Sequence, residues 1–128
     1  MITIIDYGVG NINAFYNIFK TLGVEVSIAR NYNDILDAKK LILPGVGHFD
    51  YAMNKFNESG MVESVTDLVM SKSVPVLGIC VGMQVMFEHG VEHGIDAEGL
   101  GQWPGSVTKL QAPTLPHMGW SKVSPDAK

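Results

Sequence analysis

The only cysteine among the 128 residues, Cys80, stands in Gly78-Ile79-Cys80-Val81-Gly82. An apolar run leads into this segment, and a helical pattern carrying Gln84 and Phe87 leads away from it. Gly-x-nucleophile-x-Gly between a strand and a helix is the arrangement in which a sharp turn lifts one side chain clear of a sheet. The flanking glycines spare that turn a Cβ on either side. Backbone N–H groups at the start of the helix favour negative charge, so the thiol is expected to ionise more readily than a free cysteine. A thiolate is the form that attacks an amide carbonyl. A lone cysteine without context is more often a small buried hydrophobe. Here the glycine pair, the preceding strand and the following helix favour the nucleophile. Gly45, Val46 and Gly47, which follow Pro44, add a second feature. They close another apolar run, and glycines there let backbone N–H groups approach a ligand as an oxyanion site requires. A glycine-rich turn after a strand is common, so its weight comes from Cys80. Neither loop has the G-x-G-x-x-G spacing of a dinucleotide site.

Strands and helices must alternate to position these loops. Ile2 to Ile5 is a short β-branched run, and 24–29, 40–43 and 74–79 read as further strands, the last as a continuous apolar strand covered on both faces. Ile12, Phe15, Ile18, Phe19 and Leu22 fall at helical spacing and stop at Gly23. Residues 33–38 suit a short helix. Phe49, Ala52, Met53 and Phe56 mark another helical face, and Met61, Val62, Val65, Leu68 and Val69 the next. This order predicts an α/β three-layer sandwich with a mostly parallel, flavodoxin-like sheet and ligands at the carboxyl ends of the strands. After Phe87 glycines interrupt the pattern, and only 106–110 reads as a strand.

Composition excludes several classes. With 46% hydrophobic and 17% charged residues the chain reads as one globular domain over 1–128. A net charge of −4, with the nine basic residues scattered, excludes a nucleic-acid surface. No apolar run approaches the ~18–20 residues that span a bilayer. The opening residues lack the basic region of a signal peptide. One cysteine can form neither an internal disulfide nor a multi-cysteine metal site, so no metal or cofactor is expected and a reducing cytoplasm is the simplest location.

Five segments then occur in a telling order: Asp6-Tyr-Gly-Val-Gly-Asn11, Leu43-Pro-Gly-Val-Gly47, Gly78-Ile-Cys-Val-Gly-Met-Gln84, Gly99-Leu-Gly101 and Pro116-His-Met-Gly-Trp120. Together they resemble the glutaminase subunits of imidazole glycerol phosphate synthases, a branch of the class I glutamine amidotransferases. The resemblance covers nearly the whole chain, to about Val123. It implies that Cys80 attacks glutamine to form a γ-glutamyl thioester and release ammonia, and that water then frees glutamate. Gly45, Val46 and Gly47, with the N–H of Val81, would hold the oxyanion, and Gln84 would help bind glutamine. Ammonia would pass to a (β/α)8-barrel synthase subunit in histidine biosynthesis, with Asn11, His117, Met118 and Trp120 facing that barrel. From spacing alone, Met118 and Trp120 read as core and His117 as a solvated loop histidine.

Some positions depart from the family pattern. Val81 stands where leucine is usual, His48 where a small residue is common and Ser121 where asparagine is common. Family members run on past this length into a His-Pro-Glu segment that supplies the catalytic histidine and glutamate, and no such segment occurs here. The domain is therefore expected to be incomplete at its C-terminus, with apolar surface left at one sheet edge. His48, His89, His93 and His117 are the only histidines, and His48 is the nearest in sequence to the expected oxyanion loop. Two other readings remain: a glutaminase serving bacterial surface-sugar amidation, and a non-catalytic α/β binding module that retains the elbow.

Overall fold

The computed structural model describes residues 1–126. The chain runs β1 (Ile2–Ile5), α1 (Ile12–Thr21), β2 (Val26–Ala29), α2 (Tyr32–Ile35), β3 (Leu41–Gly45), α3 (Phe49–Glu58), α4 (Val62–Thr66), β4 (Val76–Cys80), α5 (Val81–Gln84), β5 (Phe87–Glu92), β6 (Ile95–Glu98) and β7 (Trp103–Thr108). A π-helical turn, Asp67–Ser71, continues α4. The first four strands form a parallel sheet in the order β2-β1-β3-β4. A second sheet has the order β6-β5-β7, with β5 antiparallel to β6 and parallel to β7.

Two apolar layers sandwich the parallel sheet, as the alternating pattern requires. On one face Ile12, Phe15, Tyr16 and Phe19 of α1 pack on Ile4, Ile42 and their neighbours. On the other face Phe49, Ala52, Met53 and Phe56 of α3, with Val65 and Leu68, cover Ile5, Leu41 and Leu43. Phe49 and Phe56 are fully buried, which contributes about 2–3 kcal/mol each. Asn11 starts α1 by accepting a hydrogen bond on Oδ1 from the Ala14 N–H at 3.3 Å. Gly23, at φ +69°, lets the chain leave the helix after Leu22.

The structure corrects three expectations. The strand at 74–79 is not the centre of the described sheet: β4 is its edge, and Leu77 is 57% exposed. All five residues of β3 are buried instead. A run of apolar residues records only that a strand prefers to be covered, not which neighbour covers it. Helix α5 stops at Gln84, and Phe87 already belongs to β5. The glycine-rich stretch after Phe87 is a sheet. Its hairpin turns at His93 and Gly94, both at positive φ, between the paired residues Glu92 and Ile95. Two successive positive-φ residues match the twist of the flanking strands. Gly90 and Gly99 are required there because a Cβ on either would meet the Phe49 ring or neighbouring carbonyls.

Tyr7 ties the first loop to the end of β3. Its hydroxyl donates to the Pro44 carbonyl at 2.7 Å, and its ring stacks on Phe56 with centroids 4.7 Å apart. Burial pushes this phenol well above its ordinary value. Tyr7→Phe should cost about 1 kcal/mol in urea unfolding at neutral pH, because the Pro44 carbonyl loses its donor. The folded state disfavours phenolate, so the contribution of Tyr7 to stability is level below about pH 10 and falls as pH rises beyond it. The Phe variant should lose that part of the alkaline decline.

Candidate active site

Cys80 is the last residue of β4 and sits immediately before α5. Its backbone is at φ +56°, ψ −123°, a region that residues with a side chain rarely adopt. Holding a non-glycine residue there costs about 1–3 kcal/mol and persists only where surrounding structure imposes it. The surroundings do impose it. A Cβ on Gly78 would lie 2.5 Å from Met83 Cα, and one on Gly82 would fall on the Leu43 carbonyl. A Cβ on Gly45 would come within 2.7 Å of the Val81 carbonyl carbon. The first turn of α5 is thus pressed back onto β3 and β4 where neither contact surface has a side chain. The turn presents Cys80 as an exposed residue. One helical turn is shorter than expected, so any electrostatic help comes from the free first amides rather than from a long macrodipole.

Register brings the second glycine loop to the same edge, since Gly45 is the direct partner of Cys80 across the β3–β4 ladder. Pro44, without an N–H, pairs with Ile79 one step earlier. Gly45 is buried, whereas Val46 and Gly47 are exposed, and Gly47 is at φ +88°. Val81 is buried beneath the turn and Gln84 is half-buried. Cys80, Gly45 and Val81 therefore meet at the carboxyl end of the parallel sheet, where the topology puts ligands.

The chain after Thr108 has no regular element up to 126. His117 is exposed, Met118 is 84% exposed and Trp120 is completely exposed, so the core reading of Met118 and Trp120 does not hold. Leu115 and Val123 are exposed as well. Asn11 is exposed at the start of α1.

One cluster was not legible in the sequence. Helix α3 begins at His48 without a side-chain cap of its own. Glu92, at the end of β5, supplies the acceptor: its Oε2 takes the Phe49 N–H at 2.7 Å. The same oxygen lies 3.6 Å from His48 Nδ1, and the His48 ring meets His93 edge-on with centroids 4.6 Å apart. His48 is thereby turned toward Glu92 and His93. A cavity of about 780 Å³ opens beside this corner, with Thr108, Lys109 and Gln111 among its other walls. Cys80 does not line it. Among the described residues no group of three acidic, histidine or cysteine side chains is placed to hold a metal ion, and no helix is long and apolar enough to cross a membrane.

Comparison with known proteins decides what this edge belongs to. The family model described as glutamine amidotransferase class-I matches residues 3–126. The chain belongs to the class I glutamine amidotransferase family. It is 49% identical over 131 residues to the imidazole glycerol phosphate synthase subunit HisH of Bdellovibrio bacteriovorus, covering 98% of this chain and 63% of the relative. The HisH subunit of Leptospira interrogans is 43% identical, with 97% and 63% covered. That of Streptomyces avermitilis is 40% identical, with 95% and 56% covered. The chain thus spans roughly three-fifths of the length of these curated relatives. An α/β fold with a parallel sheet and a cysteine elbow is the architecture expected of this family.

Proposed function

We propose that this chain is the nucleophile-bearing part of a glutamine-hydrolysing subunit of imidazole glycerol phosphate synthase, acting in histidine biosynthesis in the cytoplasm. The observation that carries the reading is Cys80 held in a glycine-like backbone conformation at the end of β4, directly beside Gly45. In this reading the Cys80 thiolate attacks the side-chain carbonyl carbon of glutamine. The resulting oxyanion is met by backbone N–H groups of residues 45–47 and of Val81, with Gln84 helping to hold the substrate. The C–N bond breaks, the nitrogen leaves as ammonia after taking a proton, and a γ-glutamyl thioester remains on Sγ. Water then cleaves the thioester to glutamate and restores the thiol. No cofactor is needed. The resemblance assigns proton transfer to a histidine and glutamate of a His-Pro-Glu segment, for which the relatives' further length has room.

The test uses the fact that Cys80 is the sole thiol. 6-Diazo-5-oxo-L-norleucine, an electrophile shaped like glutamine, should add to Cys80 in intact-mass analysis, and excess glutamine should slow the addition. Reaction no faster than with iodoacetamide, and indifferent to glutamine, would favour a non-catalytic α/β module.

Ammonia released at this edge is proposed to pass to a (β/α)8-barrel synthase subunit, with Asn11, His117, Met118 and Trp120 on the facing surface. Met118 and Trp120 support this because they are large apolar groups left exposed among the described residues. Trp120→Ala should leave the unfolding midpoint unchanged and weaken binding to the synthase subunit by about tenfold or more. Calorimetric titration with the barrel subunit measures it, and an unchanged affinity would remove Trp120 from the interface.

A further inference from the structure

Residues 6–11 join β1 to α1 and lie against the end of β3. The β1–β3 ladder stops at Ile4 and Ile42, two residues before Pro44. The buried Pro44 carbonyl thus stands beyond that ladder, and the Tyr7 hydroxyl donates to it at 2.7 Å. A buried carbonyl left without a donor is costly, so this bond replaces the strand partner that β1 no longer supplies. Gly10 closes over the same residue: a Cβ there would stand 3.0 Å from Pro44 Cβ and 3.6 Å from the Gly45 nitrogen. The Tyr7 side chain has little freedom to leave, since it is only 3% exposed and its ring stacks on Phe56. Burial also keeps the phenol in its protonated, donating form.

Pro44 and Gly45 share one planar peptide, so whatever fixes the Pro44 carbonyl also fixes the Gly45 N–H on the opposite side of that plane. Gly45 is the ladder partner of Cys80, and from it the chain runs into the exposed Val46 and Gly47. We infer that Tyr7 is a positioning residue for the 45–47 loop: its hydroxyl sets the plane of the Pro44–Gly45 peptide, and with it the direction in which the loop's N–H groups face Cys80. This rests on the glutaminase reading above. Tyr7 acts on the loop that would receive the oxyanion, not on the thiol. Its loss should therefore appear in reactions that use the loop and not in those that need only the thiol.

The experiment compares two reagents on the 128-residue chain and its Y7F and G60A variants, by intact mass over time. 6-Diazo-5-oxo-L-norleucine reports capture through the glutamine site, and iodoacetamide reports the bare thiol. Y7F keeps the ring on Phe56 and removes only the donor. It should slow capture at saturating diazo-ketone about fivefold, the factor that one buried hydrogen bond carries, with iodoacetamide rates unchanged within about twofold. G60A, expected to lose a similar amount of stability at a residue outside this loop, should leave both rates within about twofold of the parent. An unchanged capture rate in Y7F overturns the proposal. So does an equal slowing of both reagents, which would mean that the variant alters the elbow or the fold. G60A as slow in capture as Y7F also overturns it, because lost stability alone would then explain the effect. Failure of the glutaminase reading is seen separately, in the parent chain, as capture that glutamine does not slow.

Discussion

Replacing Cys80 by alanine is expected to abolish glutamine hydrolysis and diazo-ketone capture, a loss of more than about 10^4-fold in any turnover the assembled enzyme shows. Alanine keeps the fold but has no atom to form the thioester. Turnover near the parent level would remove the nucleophile assignment. Glycine at the same position asks a second question. Cys80 occupies φ +56°, which glycine adopts freely. Relief of about 1–3 kcal/mol of strain, less about 0.5–1 kcal/mol for the greater freedom of glycine in the unfolded chain, leaves a net gain of about 1 kcal/mol. Cys80→Gly should therefore be inactive yet more resistant to urea than the parent, while Cys80→Ala should not be. A glycine variant less stable than the alanine variant would mean that the elbow is unstrained. The stored strain would be a stability cost accepted to present Sγ at the sheet edge.

Gly82→Ala is expected to be the most damaging single methyl group in the chain. Its Cβ would fall on the Leu43 carbonyl, in a place where β3 is wholly buried and cannot move aside. Overpacking of this kind costs about 3 kcal/mol, a large share of the ~5–15 kcal/mol that holds a domain folded. The surviving folded fraction should also react poorly through Cys80, because α5 can accept the methyl only by lifting away from β3. Gly60→Ala is the control. It places the added methyl in open space at a positive-φ glycine, and should cost only about 1 kcal/mol. Urea midpoints of the two variants decide the matter. Equal losses would show that the contact between α5 and β3 does not govern Gly82.

The elbow was legible because its needs are local. An apolar strand, a cysteine between two glycines and the start of a helical pattern state the turn within a few residues, and the structure places Gly78 and Gly82 where a Cβ has no room. The helix face at Phe49–Phe56 was legible for the same reason, since periodicity records burial within one element; along α1 the reading held for Ile12, Phe15 and Phe19, which pack on the sheet, but not for Ile18 and Leu22, which are exposed near the helix end. The hairpin after Phe87 was missed because it has few consecutive apolar residues. Its glycines, which break the pattern, are there to accommodate Phe49 from another element.

Sequence by itself determined the family, the alternation of strands and helices, and the place of the glycine-flanked cysteine on which the proposed chemistry rests. Tertiary structure alone decided that β4 lies at the edge of the described sheet, that Gly45 stands opposite Cys80, that Trp120 is bare, and that Glu92 holds the start of α3. The difference has a physical cause. A turn or a helix face is specified by neighbours a few residues apart, whose spacing can be read directly. A hydrogen bond such as that from Phe49 to Glu92 joins residues that no local pattern relates, and its partners meet only after two sheets and a helix have packed.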